Sequence, residues 1–400
     1  MYKRIVLFAI VISIAHSQQQ LSFHEAFQRR LEVDSGLLAL SHQRTVLSLS
    51  KELSQAFAPT EFESVLENFG QDEIEFSARQ VFEAPSIRRN RLTLVDAELG
   101  IIENNARTYQ DEIHYRLSMY FLESVHWNKR LALAEERLVL TEQILDWQNH
   151  QFKQGALSES ELIRSRLETA RQEADLSQIK TSIERYTMEL SAYLDTSLIS
   201  TALPMVLPHL PTKNAIEAAW KQPSSSPVIR DKQAHLNTLK AMIAVEDIPL
   251  ISSFSLSAGM KILPELNQQF PIIGISIESP LFTKRKVAVK LRDYEFRAGM
   301  SELDNISSQF EIERERWMSR WLVADQQLSN LRASLIPEAK LLYQRIETEY
   351  RAGARPYLEV LDAQSLLTDL QENAMTLQIE QSSLLFELSL TLGVKIYEFN

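Results

Sequence analysis

Phe152-Lys153-Gln154-Gly155-Ala156-Leu157-Ser158-Glu159-Ser160-Glu161-Leu162-Ile163 and Tyr350-Arg351-Ala352-Gly353-Ala354-Arg355-Pro356-Tyr357-Leu358-Glu359-Val360-Leu361 are two versions of one motif. An aromatic, a glycine-alanine pair and an acid followed by two aliphatics recur at identical spacing. Self-similarity of this kind marks a duplicated architecture. A second match lies upstream of each copy, where a proline-led basic segment opens a helix: Glu83-Ala84-Pro85 before Arg88, Arg89 and Arg91, and Glu278-Ser279-Pro280 before Lys284, Arg285 and Lys286. Between the halves, Pro204, Pro208, Pro211, Pro223 and Pro227 with Ser224 to Ser226 mark residues 203–228 as a connection. The chain therefore divides into a first repeat, 18–202, and a second, 229–400.

Only 9 glycines and 13 prolines serve 400 residues, and no proline falls between Ser86 and Leu203, between Leu281 and Ile336, or after Pro356. A proline inside a helix costs roughly 3 kcal/mol, so these gaps are where long helices can run. The spacing predicts helices over about Ser86 to Gln151 and Thr283 to Glu349, each roughly 100 Å long at 1.5 Å per residue. Gly155 and Gly353 are the turn glycines that end them, in turns at 152–158 and 350–356, with a returning helix after each. A shorter first helix opens at the capping box Ser22-x-x-Glu25 and runs towards Ala58. In the last helix Val360, Ala363, Leu367, Leu370, Ala374, Leu377, Gln381, Leu384, Leu388 and Thr391 alternate steps of three and four, the period of a coiled-coil seam. Leu131, Ala134, Leu138, Leu145 and Phe152 extend that pattern to the first long helix, and Leu328, Leu331, Leu335, Leu342 and Ile346 to the second, where Pro337 predicts a kink.

Each half also holds a β-hairpin, at about 60–83 and 252–279. Ser253 to Ile262 alternates without error, apolar at even positions and polar or small at odd ones, and Ile273, Ile275 and Ile277 alternate with Gly274, Ser276 and Glu278. One apolar and one polar or small face suit a barrel with lipid outside and water inside, and about 10 residues is the length a tilted membrane strand needs. In the first half Phe62, Phe76, Ala78 and Phe82 fit the lipid face, but Asn68 and Gln80 share it. The fold class is thus mainly α with a small β part.

Lys3 and Arg4, the apolar stretch Ile5 to Ile14, and Ala15 and Ser17 have the layout of a cleaved signal peptide over 1–17. The absence of cysteine removes disulfides, thiolate metal sites and a lipidation site. For the chain as a whole a net charge of −11 disfavours nucleic acid or an anionic lipid surface as a partner. His16, His24, His42, His114, His126, His150, His209 and His235 show no HExxH pairing, and neither GxSxG nor a phosphate-loop pattern occurs. No enzyme, cofactor or metal site is expected. A periplasmic coiled-coil adaptor or structural protein is the competing reading, although an adaptor carries one hairpin between glycine-rich β-domains.

In its duplicated hairpin and its two turn motifs, the second continuing through Asp362-Ala363-Gln364, nearly the whole mature chain resembles the TolC family of outer-membrane efflux proteins. The resemblance implies a homotrimer whose strands close a transmembrane 12-stranded barrel above a periplasmic α-helical tunnel. It implies a channel subunit of a tripartite efflux or type I secretion system in the outer membrane of a Gram-negative bacterium. Its partners would be outer-membrane lipid, a periplasmic adaptor and an inner-membrane pump. By the same resemblance Tyr350 and Arg355 latch the resting aperture by reaching Ser160 and Glu161 on the neighbouring hairpin. Glu359 and Asp362 ring the constriction, and the turns Gly155, Ala156, Leu157, Ser158, Gly353 and Ala354 dock the adaptor. Glu67-Asn68-Phe69-Gly70 with Gln80-Val81-Phe82-Glu83 is similar to the branch that exports heavy-metal cations.

Overall fold

The computed structural model describes residues 22–56, 58–68, 72–196, 211–220, 226–279, 285–393 and 396–397. The signal-peptide expectation, most of the proline-rich connection, and Phe69 and Gly70 lie outside them. The chain forms two units, one of Met1–Asp34, Gln110–Pro223 and Ile312–Asn400, the other of Ser35–Tyr109 and Ser224–Glu311.

In chain order the elements are α1 (Phe23–Val33), α2 (Ser35–Gln55), β1 (Glu61–Asn68), β2 (Asp72–Glu83), α3 (Pro85–Lys153), α4 (Glu159–Tyr193), α5 (Lys213–Trp220) and α6 (Pro227–Glu246). They continue with β3 (Ser253–Leu263), β4 (Gln268–Glu278), α7 (Arg285–Asn330), a π-helical segment (Leu331–Leu335), α8 (Ile336–Arg351) and α9 (Tyr357–Leu392). None of the described helices is long and apolar enough to cross a membrane.

In the second unit the strands form one antiparallel sheet in the order β1-β2-β3-β4. Phe62 opposes Ala78, Phe76 opposes Met260, and Phe254 opposes Ile277, so most apolar positions of the four strands share one face, while Val65, Val81, Phe270 and Ile272 lie on the other. The shared face is bare, with Phe62 84%, Leu66 79%, Ile273 83% and Ile275 72% exposed. Gln80, on the same face, has its polar atoms satisfied: its amide nitrogen donates to Ala58 O at 2.7 Å, and its oxygen accepts from Thr60 Oγ1 at 2.6 Å. The opposite face carries ion pairs between Glu63 and Arg79 and between Glu73 and Lys261. α6 packs on α3 through Asn90 Nδ2, which donates to Ala244 O at 2.5 Å, and on α7 through the Lys232–Glu302 pair.

In the first unit α1 starts on the expected capping box, with Ser22 Oγ accepting from Glu25 N and Glu25 accepting from Ser22 N. The helix does not run on to Ala58. Asp34 takes an extended conformation (φ −75°, ψ 113°) and α2 begins at Ser35. Asp34 is 3% exposed, and Arg30 holds it at 2.6 Å while also donating to Tyr193 O at 3.0 Å. The ion pair and the short polar side chain, of a type favoured just ahead of a helix, make the break. Around it Phe23, Leu117, Phe121, Ile183, Tyr186 and Leu190 form the core.

Six of the ten α9 seam positions, Val360, Ala363, Ala374, Gln381, Leu384 and Leu388, are under 8% exposed, with Gln381 donating to Asp325 at 2.8 Å, whereas Leu367, Leu370, Leu377 and Thr391 are half-buried. The partner seams differ from the leucine pattern. On α3 the buried line is Ala134, Thr141, Ile144 and Gln148, whereas Phe152 is 40% exposed. On α7 and α8 it runs Ala324, Leu328, Leu331, Ala339, Tyr343 and Tyr350, leaving Leu335 and Leu342 38% and 42% exposed. The cause is the π-helical segment. A π-turn inserts one residue into an α-helix, so the step from Leu331 to Ala339 is eight residues instead of seven and every later seam position moves on by one. Pro337, which offers no N–H to the preceding turn, lies two residues after the end of the π-helical segment.

Candidate functional site at the hairpin turns

Both α3 and α8 end in the same capping geometry. Gly155 and Gly353 sit at φ 75° and 77°. Gly155 N donates to Phe152 O at 2.9 Å and Ala156 N to Gln151 O at 3.0 Å; Gly353 N donates to Tyr350 O at 2.8 Å and Ala354 N to Glu349 O at 2.9 Å. These are Schellman motifs with a left-handed residue after the helix. No atom lies within 4 Å of a Cβ built on either glycine, so backbone conformation alone demands them.

The side chains that secure the turns differ. α4 is capped by Ser158, whose Oγ accepts from Glu161 N at 3.3 Å and lies 3.2 Å from Glu161 Oε2. α9 begins after Pro356, which supplies no side-chain cap. Arg355 spans the second turn instead, donating from Nε to Glu349 Oε2 at 2.9 Å and from Nη1 to Glu359 Oε2 at 2.5 Å. Hydrogen bonds from Arg345 first, and from Arg355, hold the Glu349 carboxyl below the usual carboxylate range.

Just inside the turns, two hydroxyl bonds join the hairpins of the same chain. Gln148 Nε2 on α3 donates to Tyr350 Oη on α8 at 2.6 Å, and Tyr357 Oη on α9 donates to Ser165 Oγ on α4 at 3.4 Å. The Tyr350 ring packs on Trp147 at 5.1 Å and on Tyr357 at 5.6 Å. Burial pushes the Tyr350 phenol up to about 12, with a further push from the Glu161 carboxylate, and burial takes Tyr343 to about 12 as well.

Within one chain the expected latch partners are not the ones engaged. Tyr350 takes its hydrogen bond from Gln148, because it is a buried seam residue. Arg355 is bound by Glu349 and Glu359, its neighbours across the turn. Ser160 Oγ lies 3.1 Å from Ser158 Oγ, and Glu161 turns back to its own helix cap. Glu359 is thereby paired with a cation. Asp362 lines a cleft of about 590 Å³ between α3, α4 and α9, with Arg130, Arg137 and Arg171 among its walls. Gly155, Ala156, Ser158, Gly353 and Ala354 are exposed and Leu157 is half-buried. Sequence reading missed Gln148, Ser165 and Tyr357. The seven-residue spacing of Tyr343, Tyr350 and Tyr357 is the signal that marks the aromatic seam.

No family model matches the chain. It is similar to the cobalt-zinc-cadmium resistance protein CzcC of Cupriavidus metallidurans, 26% identical over 226 residues that make up 53% of this chain and 51% of that protein. The match thus spans about half the length of that relative. It is also similar to the nickel and cobalt resistance protein CnrC of the same organism, 20% identical over 341 residues, 80% of this chain and 78% of that one. Among solved structures it shares the fold of the outer membrane protein VceC of Vibrio cholerae, with a TM-score of 0.75 at 14% identity over 94% of this chain and 96% of that one. The chain is thus similar over part or most of its length to two metal-resistance proteins, and it shares its fold with an outer membrane protein.

Proposed function

We propose that this chain is one subunit of an outer-membrane export channel, exported by a signal peptide at 1–17 and assembled as a homotrimer that closes a twelve-stranded barrel. The observation that carries the reading is the sheet: four strands with a bare apolar face and two edges, β1 and β4, that are unpaired among the described residues. An open apolar edge strand is an aggregation hazard in water, and a membrane-spanning sheet has to be closed. Three copies joined edge to edge satisfy both demands. The helices beside the sheet agree, because α2 exposes Leu38, Val46, Leu49 and Leu53, and α7 exposes Val287, Leu291 and Tyr294. These are apolar stripes suited to a neighbouring copy.

The channel acts as a passive conduit in a tripartite system with a periplasmic adaptor, which docks on the exposed turns, and an inner-membrane pump. Metal cations are the cargo class we favour. CzcC and CnrC are named for metal resistance, and the polar face of the sheet carries Glu61, Glu63, Glu73, Glu75, Glu83 and Glu278 against Arg79 and Lys261. A water-filled lumen lined in this way favours cations. At the turns, Tyr350 and Arg355 act as the latch between subunits through Ser160 and Glu161, after exchanging their partners within the chain, and Glu359 and Asp362 form the acidic ring.

Envelope fractionation tests the channel class: the protein is expected in the outer-membrane fraction, and recovery in the soluble periplasm would sink the reading. In planar bilayers Arg355→Ala and Tyr350→Phe should raise single-channel conductance, and unchanged conductance in both removes these residues from the gate. Glu359→Gln with Asp362→Asn should shift the reversal potential towards lower cation selectivity.

A further inference from the structure

The basic segments that follow β2 and β4 in both repeats have no part in the gate. α3 and α7 have no acidic residue in their first turns, although the positive end of a helix dipole favours acids there and disfavours cations. Arg91 is neutralised by Glu83 at 2.7 Å. Arg89, Lys286 and Lys290 are exposed and carry no side-chain partner among the described residues. Arg89 lies six residues beyond the end of β2, and Lys286 and Lys290 lie eight and twelve beyond the end of β4. β2 and β4 run in the same direction through the antiparallel sheet, so all three cations follow the same edge of it. At that edge Leu250 and Ile251, just before β3, are 64% and 52% exposed. Exposed apolar side chains and uncommitted cations at the same end of an apolar sheet have the chemistry of a membrane boundary.

We infer that Arg89, Lys286 and Lys290 form a basic collar that binds the phosphodiester headgroups of anionic glycerophospholipids, while Leu250 and Ile251 enter the acyl region below. The inference rests on the channel reading, in which the sheet spans the bilayer and the helices leave it on the periplasmic side. The leaflet on that side is phospholipid, whereas lipopolysaccharide occupies the far one. Near an anionic surface each Lys or Arg changes the partition by roughly fivefold, and the effect fades within a Debye length.

The test uses the assembled full chain reconstituted in equimolar phosphatidylcholine and phosphatidylglycerol, with the lipids that remain bound after gentle extraction measured by mass spectrometry. Phosphatidylglycerol should be enriched severalfold over phosphatidylcholine. The enrichment should fall by at least fivefold in the triple variant Arg89→Gln, Lys286→Gln, Lys290→Gln, and should persist in Lys286→Arg, Lys290→Arg, which keeps the charge. An unchanged ratio in the triple variant overturns the collar, and so does selective retention of lipopolysaccharide when it is supplied beside phosphatidylglycerol. Insertion of the unmodified chain with no lipid preference overturns the collar alone, whereas failure to insert in either lipid overturns the channel reading and the collar with it.

Discussion

Tyr350→Phe and Gln148→Leu remove opposite halves of one hydrogen bond, and their costs should differ. Gln148 is fully buried, at 0% exposure, and its Oε1 already lacks a partner. Its amide nitrogen donates to Tyr350 Oη at 2.6 Å. Phenylalanine at 350 keeps the ring contacts with Trp147 and Tyr357 but leaves the whole buried amide unsatisfied. Orphaning a buried polar group costs about 1–3 kcal/mol. Leucine at 148 removes both amide atoms, including the one already unpaired, and leaves only the Tyr350 hydroxyl, which is 4% exposed as a residue and can rotate. Gln148→Leu should therefore cost about 1 kcal/mol or less, and the double variant should be more stable than Tyr350→Phe alone by about 1–2 kcal/mol, since exchanging both partners for apolar groups is nearly neutral. Circular dichroism at 222 nm during urea unfolding of the four proteins closes the cycle. If Gln148→Leu destabilises as much as Tyr350→Phe, or the double variant is the least stable, the amide is not the group that carries the cost and the account fails.

Gly353→Ala and Gly155→Ala should each lose about 1–2 kcal/mol through left-handed strain alone, with Asn milder than Ala; equal loss for Asn and Ala would mean the space around the turn matters after all. Tyr343 and Tyr350 titrate at about 12, above their ordinary 10.0, so their contribution is complete below pH 10 and declines between pH 10 and about 12 as the unfolded chain ionises first. The decline is roughly 1.4 kcal/mol per pH unit for each, and Tyr343→Phe should flatten a plot of urea midpoint against pH across that window. Deleting Ala333 should convert the π-helical segment to plain α-helix with Leu331 and Ala339 in seam register, and so be tolerated in thermal melts; deleting Gln344, in regular helix, should rotate Tyr350 out of the seam and prevent cooperative unfolding.

The duplication, the long helices, the turns and the second hairpin could be read from residue types because each rests on a local rule: a missing proline, a glycine at positive φ, a strict alternation. The first hairpin was harder to read, since Gln80 interrupts its apolar face, and only the approach of Thr60 and Ala58 shows how that amide is accommodated. The seams went astray for two separate physical reasons. Thr141 and Gln148 are buried seam positions that a search for apolar residues passes over: Thr141 is satisfied by Arg137 O within its own helix, and Gln148 by Tyr350 on another. Leu335 and Leu342 looked like seam residues because steps of three and four counted from Leu328 assume an unbroken α-helix, and one π-turn before Pro337 cancels that assumption. The break at Asp34 likewise depends on Arg30 being held against Tyr193, a contact 163 residues away.

Duplication has preserved the backbone of the two turns while their side chains have diverged, and the divergence bears on the gate. At the first turn a neutral hydroxyl, Ser158, secures the helix start. At the second, with Pro356 unable to cap, closure of the turn falls to the Arg355 guanidinium between Glu349 and Glu359. A neutral cap is indifferent to ionic strength, whereas exposed ion pairs are screened by it. The same arginine is the proposed latch, and one of its two carboxylates belongs to the proposed acidic ring. Arg355 therefore cannot leave for a neighbouring subunit without unpairing Glu359. Closing the latch and charging the ring become one event, and opening it returns the cation to its own turn.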